Sequence, residues 1–117
     1  MFFLYSSDLV ESGDYKTVSA LRSLTNVFDE ISGKIVVVKV DVDTIIGSKL
    51  AVILNVDEDD VYTRPNLRII NPGAKTDPNI KKYRPIGLQR DDEITESVIS
   101  KFIQDFIDDK LPIFLKT

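Results

Sequence analysis

Lys34-Ile35-Val36-Val37-Val38-Lys39-Val40-Asp41-Val42-Asp43 is the stretch on which the fold turns. Ile35 to Val38 and Val40 are β-branched, and such side chains are stiff at χ1 and pack well on a pleated surface. The run is read as a strand over 34–41 buried on both faces, as a parallel sheet covered by helices requires. Working back toward the N-terminus, Val18, Leu21, Leu24, Val27, Phe28 and Ile31 recur at helical spacing. They predict an amphipathic helix over about residues 15–32. Ser12-Gly13-Asp14 breaks the chain before it, and Gly33 stands where a C′ glycine would end it. Further back, Phe2–Tyr5 is a short apolar run stopping at Ser6-Ser7-Asp8, which suits another buried strand. Strand, helix and strand make one βαβ unit.

Working forward, Asp43 or Thr44 can cap a helix over about residues 45–55. Gly47 weakens it, and Leu50-Ala51-Val52-Ile53-Leu54 is apolar nearly all round. One side of that segment meets the sheet, and the other needs a second cover of protein or ligand. Asp57-Glu58-Asp59-Asp60 reads as a solvated acidic loop. Arg64-Pro65 opens a strand at Asn66–Asn71, and Asn71-Pro72-Gly73 is a turn signal. Residues 74–79 are polar, and Ile80–Pro85 reads as a short returning strand. Ile94, Val98, Ile99, Phe102, Ile103, Phe106 and Ile107 then form an apolar stripe, predicting a helix over about residues 92–109 that Leu111-Pro112 ends. Two parallel strands come first; a hairpin and a helix follow. The expected class is α/β, a single domain over residues 1–117.

Composition removes whole classes of chemistry. The 117 residues are 43% apolar and 29% charged, an ordinary globular mix. There is no cysteine and no histidine. A thiolate nucleophile, a disulfide framework, the usual zinc site, a Ser-His-Asp triad and a histidine general base are therefore excluded. A net charge of −4 disfavours nucleic acid as the main partner. No apolar run approaches the roughly 20 residues that span a bilayer, so no membrane partner is expected. Because Phe2–Tyr5 reads as a strand that starts almost at the first residue, the chain is read as a piece of a longer protein, with Met1 an added start.

The order of elements, with Arg64-Pro65 directly before the Asn66–Asn71 strand, resembles a thioredoxin fold lacking its first strand and helix. Within that class the chain resembles the non-catalytic b′ domain of protein disulfide isomerases. The matching segments are Gly33–Asp43, Pro65–Ile70, Lys82-Tyr83-Arg84-Pro85, Ile94-Thr95 and Phe106–Lys110. The resemblance implies a mixed sheet with flanking helices and a structural cis-proline at Pro65. It implies no redox motif, since Ser6–Asp14 holds no cysteine pair. It also implies the endoplasmic reticulum lumen, unfolded or partly folded polypeptides as partners, flanking catalytic thioredoxin domains in the parent chain, and no cofactor. Phe3, Tyr5, Leu24, Val38, Leu50, Ile53 and Leu54 are the candidate substrate-binding set. Two departures stand out. Val61-Tyr62-Thr63 resembles an insertion before the proline, and Leu24, Ile53 and Leu54 occupy positions that are aromatic in the family.

Two other readings stay open. An acidic, non-redox thioredoxin-like domain of the calsequestrin kind would store calcium, though 19 acidic residues against 15 basic ones is a small surplus for that. A scaffold domain would instead dock co-chaperones, with Lys81-Lys82-Tyr83-Arg84 as the basic contact. Asp41 and Asp43 are read as structural, Asp43 as a helix cap. Glu93 and Glu96 are placed on the exposed side of the last helix, with no catalytic role. Finally, loss of the first strand and helix would leave strand 35–40 as an edge beside a bare 50–54 helix. Self-association of the isolated chain through one or both is expected.

Overall fold

The computed structural model describes residues 1–72, 80–113 and 115–116. The chain runs β1 (Phe2–Tyr5), α1 (Ser7–Glu11), α2 (Tyr15–Ile31), β2 (Val38–Asp41), α3 (Ile45–Ile53), α4 (Glu58–Val61), β3 (Asn66–Asn71), β4 (Lys81–Tyr83), α5 (Glu96–Ile107) and β5 (Leu115–Lys116). The expected strand–helix alternation and the closing hairpin are present. α1, α4 and β5 are additions to it. The stretch 74–79 and the end of the turn beginning at Asn71 lie outside the described residues.

The sheet has the order β2-β1-β3-β4-β5. β1 pairs parallel with β2, matching Phe2 to Val38, and antiparallel with β3, matching Phe3 to Leu67. β4 returns antiparallel to β3 with Ile70 opposite Lys82. This is a mixed α/β sheet flanked by helices, compatible with a thioredoxin-like fold without its first strand and helix. Period-2 alternation divides the strands between two cores. Phe3, Leu67, Ile69 and Tyr83 face α2 and α5, where Leu24, Val27, Ile99 and Phe102 meet them. Leu4, Val40 and Val42 face the other way, toward Ala51 and Leu54 of the α3 region.

Helix ends follow local chemistry. Asp14 caps α2, accepting from Thr17 N at 3.1 Å and Thr17 Oγ1 at 2.8 Å. Gly13, at φ 79°, makes the turn just before it, which only glycine enters cheaply. α2 closes without a left-handed glycine: Ser32 is right-handed, and Gly33 does not take positive φ. Asn55, at φ 57°, terminates α3 instead, an asparagine tolerating the left-handed region.

Four expectations are corrected. The strand read over 34–41 occupies only Val38–Asp41, because Lys34 N and Ile35 N still donate to Ile31 O at 2.9 and 3.1 Å as α2 unwinds. It is not buried on both faces: β2 is the sheet's outer strand, and Val38 and Lys39 are exposed. The Arg64–Pro65 bond is trans, with no cis bond among the described residues. Thr63 N and Arg64 N both donate to Asp60 O, so the α4 turn already reverses the chain, and Pro65 follows in the default isomer. The last helix begins at Glu96, capped by Thr95 through Val98 N, so Glu93 precedes it.

Candidate functional site

β2 has no partner strand on its outer side among the described residues. In a parallel pair the backbone groups of alternate residues point to opposite sides. Val38 N bonds inward to Met1 O and Val42 N to Tyr5 O, so Val37 and Lys39 aim their N–H and C=O outward. Both faces of this edge carry apolar side chains. Toward α2, Val37 and Lys39 border a groove of about 770 Å³ whose other wall is Leu21, Leu24, Thr25, Phe28 and Asp29. Toward α3, Val38 is 38% exposed. α3 itself turns Ile45 and Val52 outward at 76% and 74% exposure, with Ile46 and Ile53 beside them. Gly47 and Ala51 form its buried side. The helix thus keeps an uncovered apolar face, as its composition implied.

The seven candidate residues do not share one surface. Phe3, Tyr5 and Leu24 belong to the α2–α5 side, with Phe3 and Leu24 buried. Leu50 and the buried Leu54 pack on the opposite side of the sheet. Val38 lies on that opposite side too, since it shares a face with Val40. Ile53 points outward from α3. Only Leu24, at the groove, and Val38 and Ile53, on the other side, reach the open region. Leu21, Thr25 and Phe28 were passed over. Their signal was the width of the α2 stripe, since Leu21 and Phe28 lie beside the buried line Ala20, Leu24, Val27 and Ile31.

The basic segment at Lys81–Arg84 is not one exposed patch. Lys82 is buried, and its Nζ donates to Ile53 O at 2.6 Å and Asn55 Oδ1 at 2.9 Å. Arg68, beside it in the sheet, donates through Nε to Leu54 O at 3.2 Å and through Nη2 to Asn55 O at 3.3 Å. Two strand cations therefore close the C-terminus of α3, where carbonyls lack helical partners and the dipole is negative. Tyr83 is buried edge-on to Phe106 at 5.4 Å.

The acidic positions are structural in detail. Thr44, not Asp43, caps α3, accepting from Gly47 N at 2.9 Å. Asp43 serves the start of α1, accepting from Asp8 N at 3.0 Å and Ser6 Oγ at 2.6 Å. Those bonds, the Asp8 amide first, hold its carboxyl below the usual value. Asp60 is buried rather than solvated, and it accepts from Arg64 at 2.9 Å and Arg90 at 2.7 Å. Burial raises its carboxyl, but the hydrogen bonds and charges of the two arginines outweigh that and leave it lowered. Among the described residues no three acidic side chains gather as a metal site would need. With no cysteine in the chain, thiol catalysis is impossible. No described helix is long and apolar enough to cross a membrane. Comparison with family models, curated proteins and solved structures found no match for this chain.

Proposed function

We propose that this chain is a polypeptide-binding module, a non-catalytic domain of the protein disulfide isomerase kind that holds unfolded or partly folded chains. The observation that carries the reading is the open edge of β2 with an apolar groove against α2 on one face and exposed Val38 on the other. An extended segment laid along Val37–Lys39 takes main-chain hydrogen bonds from the edge, independent of its sequence. Its alternate side chains enter the groove lined by Leu21, Leu24 and Phe28. Burial of about 200 Å² of apolar surface contributes about 5 kcal/mol before ordering costs, so binding is weak and sequence-tolerant. Residence in the endoplasmic reticulum lumen and flanking catalytic domains belong to the same reading.

The test is titration of the labelled chain with an apolar extended peptide, followed residue by residue in NMR spectra. Shifts are expected at Val37 to Asp41 and at Leu21, Leu24 and Phe28, with new exchange protection at the Lys39 amide. Shifts confined to other surfaces would overturn the proposal.

A further inference from the structure

The outer edge of β2 presents a short stretch of open backbone, and that stretch matches itself. Val36 O accepts from the Met1 amine and Val38 N donates to Met1 O, so these groups face inward. Ile35 N still belongs to the end of α2. At the other end, the Asp41 carbonyl is taken by Thr44 N at 3.2 Å and Thr44 Oγ1 at 2.8 Å, with Gly47 seated against it. Val37 and Lys39 are therefore the open pair, with Val38 midway between them. A second copy meets this pair antiparallel about a two-fold axis through Val38. Val37 then lies opposite the partner's Lys39, and Lys39 opposite the partner's Val37, each pair exchanging main-chain hydrogen bonds. Neighbouring registers are worse. A centre on Val37 needs Ile35 N, a centre on Lys39 sets two lysines opposite each other, and a centre on Val40 needs the Asp41 carbonyl.

Side-chain charge favours the same register. Lys39 is paired with Phe3 across the β1–β2 ladder, so it shares the α2 face of the sheet. Because β1 and β2 are parallel, α2 returns antiparallel to both, and its C-terminal end, with Phe28 and Asp29, stands at the Val37 end of the groove. The partner's Lys39 arrives at that end. The side chains of Lys39 and Asp29 are exposed and have no hydrogen bond or ion pair among the described residues. The two-fold pairs each with its opposite in the other copy, and does so twice, as an isologous contact must. On the other face Val38 meets the partner's Val38, a close pair without main-chain bonds between them. The seam is short, and stable interfaces cover about 800 Å² on each partner, so this contact is weak and reversible.

We infer that the occupant of the β2 edge between polypeptide clients is a second copy of this chain, joined antiparallel about Val38 with Lys39–Asp29 ion pairs across the seam. The inference rests on the reading of β2 as a strand-accepting edge, and it makes clients and the second copy competitors for that edge. Charge exchange tests it in sedimentation. Lys39→Asp alone opposes like charges at both ion pairs, and so does Asp29→Lys alone; each should weaken the dimer about tenfold or more. An equimolar mixture of the two variants matches both pairs and should restore dimer, as should the double variant. Circular dichroism checks that each exposed substitution leaves the fold intact. An apolar extended peptide should dissociate the wild-type dimer. A wild type monomeric at every concentration, single variants that dimerise as well as wild type, a mixture no better than its components, or peptide bound to an undissociated dimer would overturn the inference. The Lys39→Asp monomer separates the two readings. Charge rescue without peptide binding at its edge sinks the client reading alone, and peptide binding without charge rescue sinks the dimer alone.

Discussion

Replacing Gly47 by alanine tests how closely α3 is seated on the end of β2. A helix-propensity argument gives one sign: glycine inside a helix costs about 1 kcal/mol relative to alanine, so Gly47→Ala should stabilise. The packing gives the other. A Cβ at Gly47 would fall inside the envelope of the Asp41 carbonyl oxygen, 2.6 Å from Asp41 C and 2.7 Å from Thr44 Oγ1. Two of those three neighbours are backbone atoms at the end of β2 and cannot rotate away. Relief requires moving the first turn of α3 off the strand. Overpacking of that kind costs roughly 1–3 kcal/mol. Displacing the Thr44 cap adds about 1 kcal/mol, which the alanine's propensity offsets. The net expectation is destabilisation by about 2 kcal/mol, or a Tm lower by about 8 °C for a chain of this size. Urea denaturation read by circular dichroism measures it, provided the slope m is unchanged. A neutral or stabilising Gly47→Ala would show that α3 does not approach Asp41 this closely, and the packing argument would be wrong.

Further expectations concern charge and the open edge. Asp60→Asn removes a carboxylate whose folded pKa lies below its unfolded value of 3.8. The stability it contributes is therefore present above about pH 4 and lost as pH falls through the lower, folded value. The variant should be less stable than the wild type by about 2 kcal/mol at pH 7, with the difference shrinking as pH falls below 4 in urea titrations. Lys82→Met keeps the apolar stem but strips Ile53 O and Asn55 Oδ1 of their donor. A loss of about 2 kcal/mol is expected, with faster amide exchange in the last turn of α3. The isolated chain should self-associate in sedimentation at rising concentration. Val38→Lys, a charge on the open strand, should shift it toward monomer; a wild type that is monomeric throughout would refute the edge argument.

Periodic burial was the legible part of this sequence. The stripe from Val18 to Ile31 predicted α2 to within a residue, because a long amphipathic helix repeats one signal many times. The β3 strand was legible too, bounded by Pro65 and the turn at Asn71. What was not legible depends on partners distant in sequence. Val36 and Val37 have strand propensity, yet they lie outside β2, because the end of α2 still holds Lys34 and Ile35 through Ile31 O. Asp60 and Lys82 look like surface charges until Arg90, thirty positions from Asp60, and Ile53, twenty-nine from Lys82, are brought beside them. The candidate set Phe3, Tyr5, Leu24, Val38, Leu50, Ile53 and Leu54 divided for the same reason. Alternation shows that neighbours in a strand face opposite ways, but not which helix covers which face.

That division bears on how the open surface can work. Groove and α3 face lie on opposite sides of one sheet, so a globular partner cannot cover both without wrapping the edge. An extended strand can reach both sides of β2, because its own side chains alternate with the same period as β2. Its backbone would meet the outward groups of Val37 and Lys39, and its odd and even side chains would meet the Leu24 wall and the Val38 side respectively. Lys39 of β2 and Asp29 of α2 both line the groove, whereas the opposite face of the edge presents Val38. An incoming charged side chain is therefore favoured on the groove face and an apolar one opposite it. A peptide alternating glutamate with valine should bind better in the register that sets glutamate toward α2. A spin label at one end of that peptide, broadening Phe28 in one register and Val52 in the other, distinguishes them. Equal broadening at both positions would mean that the charges lining the groove do not set the register.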